Sequence, residues 1–255
     1  MRKKVIIFSI VILVGLVFWG KLSTVQAISG EKVLSRVEDV MKAGEDMEAV
    51  EKMTLIDSEG NREVREIKLY QKGTNKMLMR FLEPADIRGV GVLVLSPEGQ
   101  SDLIYLYMPA FRRERRIATH AKNKSFMGTD LSYEDMAQMN YDDKYLVKKM
   151  IEKKAYYHLT LQPKKEADIS YSSVTMKVNK ENYIPDEINY FKEDNLTKKM
   201  TIPVKEKIGN YWTAIKMIVK SVETGHKTVM EIIDVKYDQG FNDKKFTVRN
   251  LRRFR

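Results

Sequence analysis

A period-two alternation of apolar and polar residues runs through the chain from about residue 47 and limits the folds that it can adopt. Short strand-like runs are separated by turns rich in Gly, Pro, Asn and Asp, such as "DSEGN", "QKGTN" and "SPEGQ". Turns of this kind join strands that are neighbours in sequence. Roughly twelve strands follow one another without a helix long enough for a βαβ crossover, which predicts an antiparallel meander or barrel.

One helix is predicted ahead of the strands, because Val33, Val37 and Met41 recur at helical spacing. Ser29 is its candidate N-cap and Gly44 its candidate C-terminal stop. We expect this helix to lie on the sheet. The predicted strands span 47–56, 64–70, 76–82, 90–95, 102–108, 145–151, 155–161, 172–178, 187–191, 196–203, 211–222, 228–237 and 245–248.

Residues 1–27 have the pattern of a Sec-type signal peptide. "MRKK" precedes the 16-residue apolar run "VIIFSIVILVGLVFWG", and a small residue, Ala27, ends the segment. This run lies between the length of a signal sequence and that of a membrane span, so cleavage after Ala27 and retention as an anchor both stay open. We expect residues 28–255 to form a single domain in the periplasm or elsewhere in the extracytoplasmic cell envelope.

The composition excludes several classes of protein. There are no cysteines, which rules out disulfides, thiolate chemistry and a lipid-modified N-terminal cysteine. The formal net charge of +10 includes four basic residues of the signal segment; without them 41 basic residues face 35 acidic ones. Mixed charges with a mild basic excess indicate a solvated surface, which disfavours a nucleic-acid partner and helps approach to anionic headgroups.

The chain lacks the sequence motifs of common enzymes. His120, His158 and His226 are far apart, with no zinc-binding spacing, G-x-S-x-G elbow, P-loop or G-x-G-x-x-G nearby. We therefore predict no catalytic residues, no metal and no cofactor.

Four arginines lie within the stretch "PAFRRERRI": Arg112, Arg113, Arg115 and Arg116. On a strand, the outer pair of this cluster would share one face and the inner pair the opposite face. Charge on both faces is typical of an edge strand, where it blocks pairing with another sheet. Guanidinium groups also bind phosphate, so a headgroup contact is the second interpretation.

Three segments together resemble the outer-membrane lipoprotein-sorting proteins of the LolA-like superfamily, in the branch encoded beside RND-type (MMPL-like) exporters. They are "FLEPADIRGVGVLVL", "LIYLYMPAFRRERRI" and "SFMGTDLSYEDM". The resemblance implies an unclosed antiparallel barrel of about eleven strands, with a few helices covering its open side. It also implies a concave apolar face that holds the acyl chains of lipids or lipoproteins during transit across the cell envelope.

The resemblance and the strand alternation together suggest which residues line that cavity. We expect these to be Val33, Val37, Met41, Met77, Met79, Phe81, Leu103, Tyr105, Tyr107, Val174, Met176 and Val178. An error of one residue in a strand would reverse its assignment.

The arginine cluster has two possible roles beside such a cavity. Its side chains could contact lipid headgroups, or could pair with the acids Asp130, Glu134 and Asp135 and so hold the "SYEDM" segment against the barrel. In that segment Ser132 and Asp135 have the spacing of a capping box.

The predicted function is that of a non-enzymatic carrier or chaperone, which contacts the membrane surface transiently and acts with an RND/MMPL-type transporter as a possible partner. Two alternatives stay open. One is a periplasmic adaptor of an RND-type exporter that has no ligand of its own, and the other is a hydrolase of an envelope lipid or glycan.

Overall fold

A computed structural model describes residues 27–42, 44–137 and 140–253. The predicted signal segment lies outside these ranges except for Ala27. The helices are α1 (Gly30–Lys42), α2 (Tyr133–Met136), α3 (Tyr141–Lys144) and α4 (Val248–Leu251). The strands are β1 (Asp46–Ile56), β2 (Arg62–Lys72), β3 (Lys76–Glu83), β4 (Gly91–Leu95), β5 (Leu103–Met108), β6 (Arg113–Arg116), β7 (Tyr145–Glu152), β8 (Tyr156–Pro163), β9 (Ser173–Asn179), β10 (Pro185–Lys192), β11 (Asn195–Ile208), β12 (Tyr211–Ser221) and β13 (Lys227–Tyr237).

All these strands form one antiparallel sheet whose order is β6-β5-β4-β3-β2-β1-β13-β12-β11-β10-β9-β8-β7. Hairpins join the neighbours within each half of this order, and the pairing of β1 with β13 joins the two halves. The barrel stays unclosed, because β6 and β7 form its two edges. The unclosed antiparallel fold predicted from the sequence is confirmed, with thirteen strands instead of about eleven.

Helix α1 begins at the predicted N-cap. The Ser29 hydroxyl accepts a hydrogen bond from Lys32 N at 3.2 Å, and Ser29 O accepts from Val33 N at 3.0 Å. These bonds satisfy amide groups that the first helical turn leaves without intrahelical partners. The apolar stripe of Val33, Leu34 and Val37 is buried against the second half of the sheet. The predicted placement of this helix on the sheet is confirmed.

The strand predicted at residues 245–248 is wrong. A 3₁₀ turn spans Asp243–Lys245, and α4 begins at Val248. The Thr247 hydroxyl accepts a hydrogen bond from Asn250 N at 3.2 Å, so a cap forms where a strand was expected. Short apolar runs at a chain end do not distinguish strand from helix.

The outer face of the first half-sheet is covered by this C-terminal segment. Leu78 and Leu93 pack there against Phe246 and Leu251. Arg80, which alternates with the inward residues of β3, donates to Leu251 O at 2.8 Å and to Gly89 O at 3.2 Å. Strands β3 and β4 are therefore buried on both faces.

The inner face carries two apolar clusters. The first joins β1–β5 to the segment of residues 126–137 and includes Ile67, Phe81 and Leu106. The second joins α1 and α3 to β7–β12 and includes Leu159 and Met176. Met230 of β13 packs against both clusters, so the two meet across the concave side of the sheet. Within residues 27–42, 44–137 and 140–253, no helix is both long and apolar enough to cross a bilayer.

Candidate lipid-binding cavity

An apolar cavity of about 230 Å³ lies between the two inner clusters. Leu69, Met77 and Met79 contribute from the first cluster, and Ile188 and Tyr190 from the second. Strands far apart in sequence form its wall because the unclosed sheet curls until its two halves face each other. A concave apolar space with few polar groups is typical of a site for a small hydrophobic ligand.

Methionine is the most frequent residue in the lining. Methionine side chains are unbranched and polarizable, and they adapt to ligands of irregular or variable shape. Their positions are spread over helices and strands from both halves of the chain, so the lining can adjust from several sides. The lining methionines are Met41, Met47, Met77, Met79, Met136, Met200, Met217 and Met230.

Most polar side chains of the lining form hydrogen bonds within the wall. Gln71 Nε2 donates to Met41 O at 3.1 Å and to Gly73 O at 2.9 Å. The hydroxyls of Thr213 and Tyr237 are 2.7 Å apart. Burial raises the pKa of Tyr141 to about 12, so its hydroxyl remains neutral. These groups are satisfied by the fold itself.

Glu51 of β1 differs from these groups. Its side chain points to the inner face between Ala49 and Met53, and it is only 5% exposed. Its Oε2 atom has no hydrogen-bond partner among the described residues. Burial raises the pKa of the Glu51 carboxyl to about 7. A buried acid of this kind costs stability, so its presence in the lining calls for a reason.

The structure places the predicted cavity residues in three groups. Met41, Met77 and Met79 line the cavity. A second group is buried in the inner clusters behind the lining: Val33, Val37, Phe81, Val174, Met176 and Val178. Strand β3 therefore presents its methionines to the cavity as its alternation predicts, whereas β9 contributes to the wall behind it.

The placement of Leu103, Tyr105 and Tyr107 in the cavity is wrong. Ile104 and Leu106 of the same strand β5 are buried in the inner cluster, so the alternate residues lie on the outer face. There Tyr105 and Tyr107 pack beside Phe246 and Leu251. Both faces of β5 are apolar and covered, and the sequence therefore shows no contrast that fixes its register.

The predicted cavity residues do not include the lining contributed by β11–β13 and by Glu51. Met200, Met217, Met230 and Ile232 line the cavity from these strands. Applying the alternation to the predicted strands 196–203, 211–222 and 228–237 would have included the methionines. The alternation of Met47, Ala49, Met53 and Leu55 in the strand predicted at 47–56 would have placed Glu51 on the inner face as well.

A polar pocket of about 470 Å³ lies on the other side of the segment Ser125–Met136. This segment, which we call the partition, contributes Leu131 to both spaces. Phe126 anchors the partition to the inner face of the sheet: it is fully buried, 5.9 Å from Phe81 and 5.5 Å from Tyr133 between ring centroids. The motif "SFMGTD" thus builds the wall between an apolar and a polar space.

Asp130 of the partition is bound to strand β13. Its carboxylate accepts a hydrogen bond from the Thr228 hydroxyl at 2.8 Å and is 2.7 Å from His226 Nδ1. Asp130 N donates to the same hydroxyl at 2.9 Å. His226 borders the polar pocket, while the Asp130 side chain is only 4% exposed. This acid has a structural role, which is to fasten one end of the partition.

The other end of the partition contains the predicted capping box. Ser132 N donates to Asp135 Oδ2 at 2.6 Å, and Asp135 N donates to Ser132 Oγ at 3.3 Å. Asp135 also accepts from the Tyr171 hydroxyl at 2.9 Å and forms a buried ion pair with Lys198. Glu134 accepts from Ser170 N at 3.2 Å.

Of the two roles considered for the arginine cluster, the pairing with Asp130, Glu134 and Asp135 is not what the structure shows, because these acids are satisfied by other partners. Among the described residues, no ion pair joins any of the four arginines to them. The acid that does pair in this region is Glu114, which lies between the arginines. Both of its carboxylate oxygens accept hydrogen bonds from the Arg252 guanidinium. The ion pair therefore links β6 to the C-terminal segment.

The four arginines are exposed at the edge of the sheet. Arg112 has φ +49° and ends a 3₁₀ turn, so it stands before the strand and does not share a face with Arg116 as predicted. Within β6, Arg115 pairs with Leu106, and Arg116 pairs with Tyr105 on the opposite face. The predicted edge strand with arginine on both faces is present.

The geometry of the described residues gives little support for a metal site or for nucleophilic catalysis. Within the described ranges, no group of three or more His, Asp or Glu residues could hold a metal ion. Ser125 and Ser132 border the polar pocket with His226, but their hydroxyls bond to Thr129 O and Asp135 N. Thr224, which also borders this pocket, has its hydroxyl 3.3 Å from the backbone amide of His226, from which it accepts.

Comparisons with known proteins agree with this architecture. The model of a family described as "Uncharacterized protein" matches residues 73–253. A DUF1329 family protein from Desulfovibrio piger is 30% identical, with a TM-score of 0.80 over 87% of this chain and 97% of that one. No curated protein matches the chain.

Two further solved structures share the fold. One is a domain assigned to the outer-membrane lipoprotein-sorting proteins from Vibrio parahaemolyticus, 23% identical, with a TM-score of 0.78 over 88% of this chain and 98% of that one. The other is LolA superfamily protein NE2245 from Nitrosomonas europaea, 16% identical, with a TM-score of 0.72 over 88% of this chain and all of that one. The chain therefore belongs to the DUF1329 family, and its fold is that of the LolA-like superfamily of outer-membrane lipoprotein-sorting proteins.

Proposed function

We propose that this protein is an exported, non-enzymatic carrier that binds acyl chains of lipids or lipoproteins in the apolar cavity and moves them across the cell envelope. The observation that carries the proposal is the methionine-rich cavity between the two halves of an unclosed sheet. The predicted signal segment supports a periplasmic or other extracytoplasmic location.

The energetics of acyl-chain burial fit such a cavity. Each methylene group removed from water contributes about 0.8 kcal/mol, so several buried groups give useful affinity without a precise polar code. Methionine linings accept chains of different length or branching, because the side chains can repack at low cost. Low-cost repacking of the lining also suits a carrier, because a carrier must release its lipid as well as bind it.

The exposed arginines support a transient contact with the membrane surface. Arg113, Arg115 and Arg116 are exposed on an edge strand, where Arg113 also interacts with the Glu114 charge and Arg115 with the Tyr133 hydroxyl, and their positive charges attract anionic headgroups. A transporter of the RND/MMPL type is the partner that we propose from the resemblance of the sequence motifs.

The carrier function is tested by blocking the cavity. We expect Met230→Trp to fill the space between the two clusters and to reduce binding of a fluorescent fatty acid at least tenfold. The matched control is Leu146→Trp, which adds the same side chain at a position on β7 that is 47% exposed. Lipid extraction of each purified variant, followed by mass spectrometry, measures how much lipid co-purifies with it.

Unchanged binding in a folded Met230→Trp variant would contradict the carrier function. A wild-type protein that carries no lipid and binds no fatty acid would favour the adaptor alternative, in which an exporter contacts this protein without any ligand. The hydrolase alternative rests on the His226–Asp130 contact at the polar pocket. It predicts that His226→Gln abolishes turnover of an envelope lipid or glycan, whereas a carrier retains lipid binding in that variant.

A further inference from the structure

The buried carboxyl of Glu51 faces the apolar cavity with one of its two oxygens unsatisfied by the described residues. It lines the apolar cavity, and its Oε2 atom has no hydrogen-bond partner within the described part of the chain. Its cross-strand neighbours are Ile67 of β2 and Ile232 of β13. Both are apolar, so Glu51 lies in a hydrophobic stripe in which a leucine would pack without cost.

Charged groups nearby are directed elsewhere. Arg65, two pairs further along β2, donates to Met127 O at 2.7 Å and pairs with Glu63 at 2.6 Å. Lys198, which is buried on the far side of the partition, pairs with Asp135. No ion pair in the described ranges includes Glu51, so this carboxyl does not hold the fold together in the way that Asp130 and Asp135 do.

The backbone beside Glu51 is irregular in a way that fits a binding site. In the pairing of β1 with β13, Val50 is opposite Asp234 and Glu51 is opposite Ile232, which leaves Ile233 as an extra residue. A bulge of this kind bends the strand and changes the direction of the neighbouring side chains, and bulges are frequent next to functional sites. Ile233 is turned outward and is 59% exposed.

We propose that Glu51 is the polar recognition point of the cavity, and that it accepts a hydrogen bond from a neutral donor on the lipid, either a hydroxyl or an amide N–H. This inference rests on the proposed carrier function and adds a preference among lipids to it. A donor is the chemistry that fits, because a carboxyl oxygen accepts a hydrogen bond in both of its protonation states. When it is ionised, the carboxylate can only accept, so an ester without a donor leaves it unsatisfied; the competition is therefore run at pH 8.

The experiment is a competition between lipids that differ only in the donor. The purified protein is incubated with equal amounts of methyl stearate and methyl 12-hydroxystearate, repurified, extracted and analysed by mass spectrometry. A second competition uses stearyl acetate and N-stearyl acetamide. The first pair tests a hydroxyl and the second an amide, so together they show which source of donor the site accepts.

We expect about tenfold enrichment of the donor-bearing lipid in at least one pair, which corresponds to one hydrogen bond made inside an apolar site. Glu51→Leu should remove the enrichment while total lipid uptake is kept or increased. Glu51→Gln should keep it, because the amide oxygen of glutamine still accepts a hydrogen bond.

Equal binding within both pairs by the wild-type protein would overturn the inference and leave the carrier function standing. Enrichment that persists in Glu51→Leu would overturn it as well, because another group would then recognise the donor. Uptake of none of the four lipids would overturn the carrier function itself. If Glu51→Leu does not fold, the lipid enrichment measured for the wild type and for Glu51→Gln still tests the inference.

Discussion

The apolar cavity and the polar pocket share the partition of residues 125–136 but differ in how they hold a buried acid. On the pocket side, Asp130 is satisfied by Thr228 and His226. At the end of the partition, Asp135 is satisfied by Lys198, Tyr171 and Ser132. On the cavity side, Glu51 has one oxygen, Oε2, with no partner in the described part of the chain.

Asp130 and Asp135 therefore stabilise the fold, whereas the burial of Glu51 costs stability. A buried carboxylate with several partners contributes to the stability of its surroundings, and removing one partner is costly. A buried carboxyl without partners reduces stability and is retained where it has another use. Single substitutions at these acids and at their partners test this distinction.

Lys198→Met should have the largest effect. Lys198 and Asp135 form an ion pair in which the side chains are 11% and 2% exposed. Removing the cation leaves a buried carboxylate, so we expect the free energy of unfolding to fall by about 4 kcal/mol. Urea denaturation measures this change.

The neighbouring Lys199→Met is the matched control for that variant. Lys199 pairs with Glu187 at 2.6 Å, but the two side chains are 41% and 33% exposed. Because solvent screens such a pair, we expect a change within about 0.5 kcal/mol. Equal losses in the two variants would show that burial of the Lys198–Asp135 pair has no special importance.

Glu51→Gln should affect stability in the opposite direction and in a pH-dependent way. The pKa of Glu51 is raised by burial from 4.5 to about 7 in the folded protein. Between these values the folded state binds the proton more tightly than the unfolded state, so stability falls as pH rises. Relative to Glu51→Gln, we expect the wild type to lose about 3 kcal/mol between pH 4 and pH 8.

Chemical denaturation of the two proteins across this pH range measures the effect. The difference between them isolates Glu51, because other groups titrate in both proteins. A difference that does not change with pH would mean that the carboxyl has a partner or is hydrated in solution. That result would remove the contrast with Asp130 on which the comparison rests.

Thr228→Val should destabilise the protein by a smaller amount. The Thr228 hydroxyl accepts from Asp130 N and donates to the Asp130 carboxylate, and Thr228 is fully buried. Its loss leaves a buried amide without a partner, which costs about 1 to 3 kcal/mol. Thr224→Val, on the exposed turn that precedes this strand, is the control and should change little. A fall in thermal midpoint only for Thr228→Val would support the structural role of Asp130.

The sequence predicts the fold well because the fold follows from local patterns. Alternation and turn residues define the hairpins, and they assign Met77 and Met79 of β3 correctly to the inner face. The capping box of Ser132 and Asp135 is also local, since its partners are three residues apart. Such features depend on neighbours that are visible in the sequence.

The site is less predictable because its contacts are long-range. Strand β5 is apolar on both faces, since the C-terminal segment with Phe246 and Leu251 covers its outer side. Its register therefore depends on residues about 140 positions away in the chain. The alternation of β1 places Glu51 on the same face as Ala49 and Met53, but the sequence does not show that this face borders an open cavity.

The arginine cluster illustrates the same limit and leads to the smallest predicted effect on stability. The sequence shows acids near the arginines. In the folded chain, however, Asp130 contacts His226 and Glu134 accepts a hydrogen bond from Ser170 N. Arg113→Ala and Arg116→Ala should therefore change the free energy of unfolding by less than about 0.5 kcal/mol. Stability losses well above that value would show that these arginines do have structural partners.

The same two variants should weaken binding to anionic vesicles. Each exposed arginine near a negatively charged bilayer contributes about 1 kcal/mol, which predicts roughly fivefold weaker binding for each substitution. Arg62→Ala, at an exposed position on β2, removes the same charge far from the edge strand in sequence and is the control. Equal weakening by all three variants would indicate a general charge effect, whereas weakening confined to Arg113 and Arg116 would place the membrane contact at the edge strand β6. Because stability is unchanged in these variants, the vesicle assay reports on the surface alone and separates membrane contact from the function of the cavity.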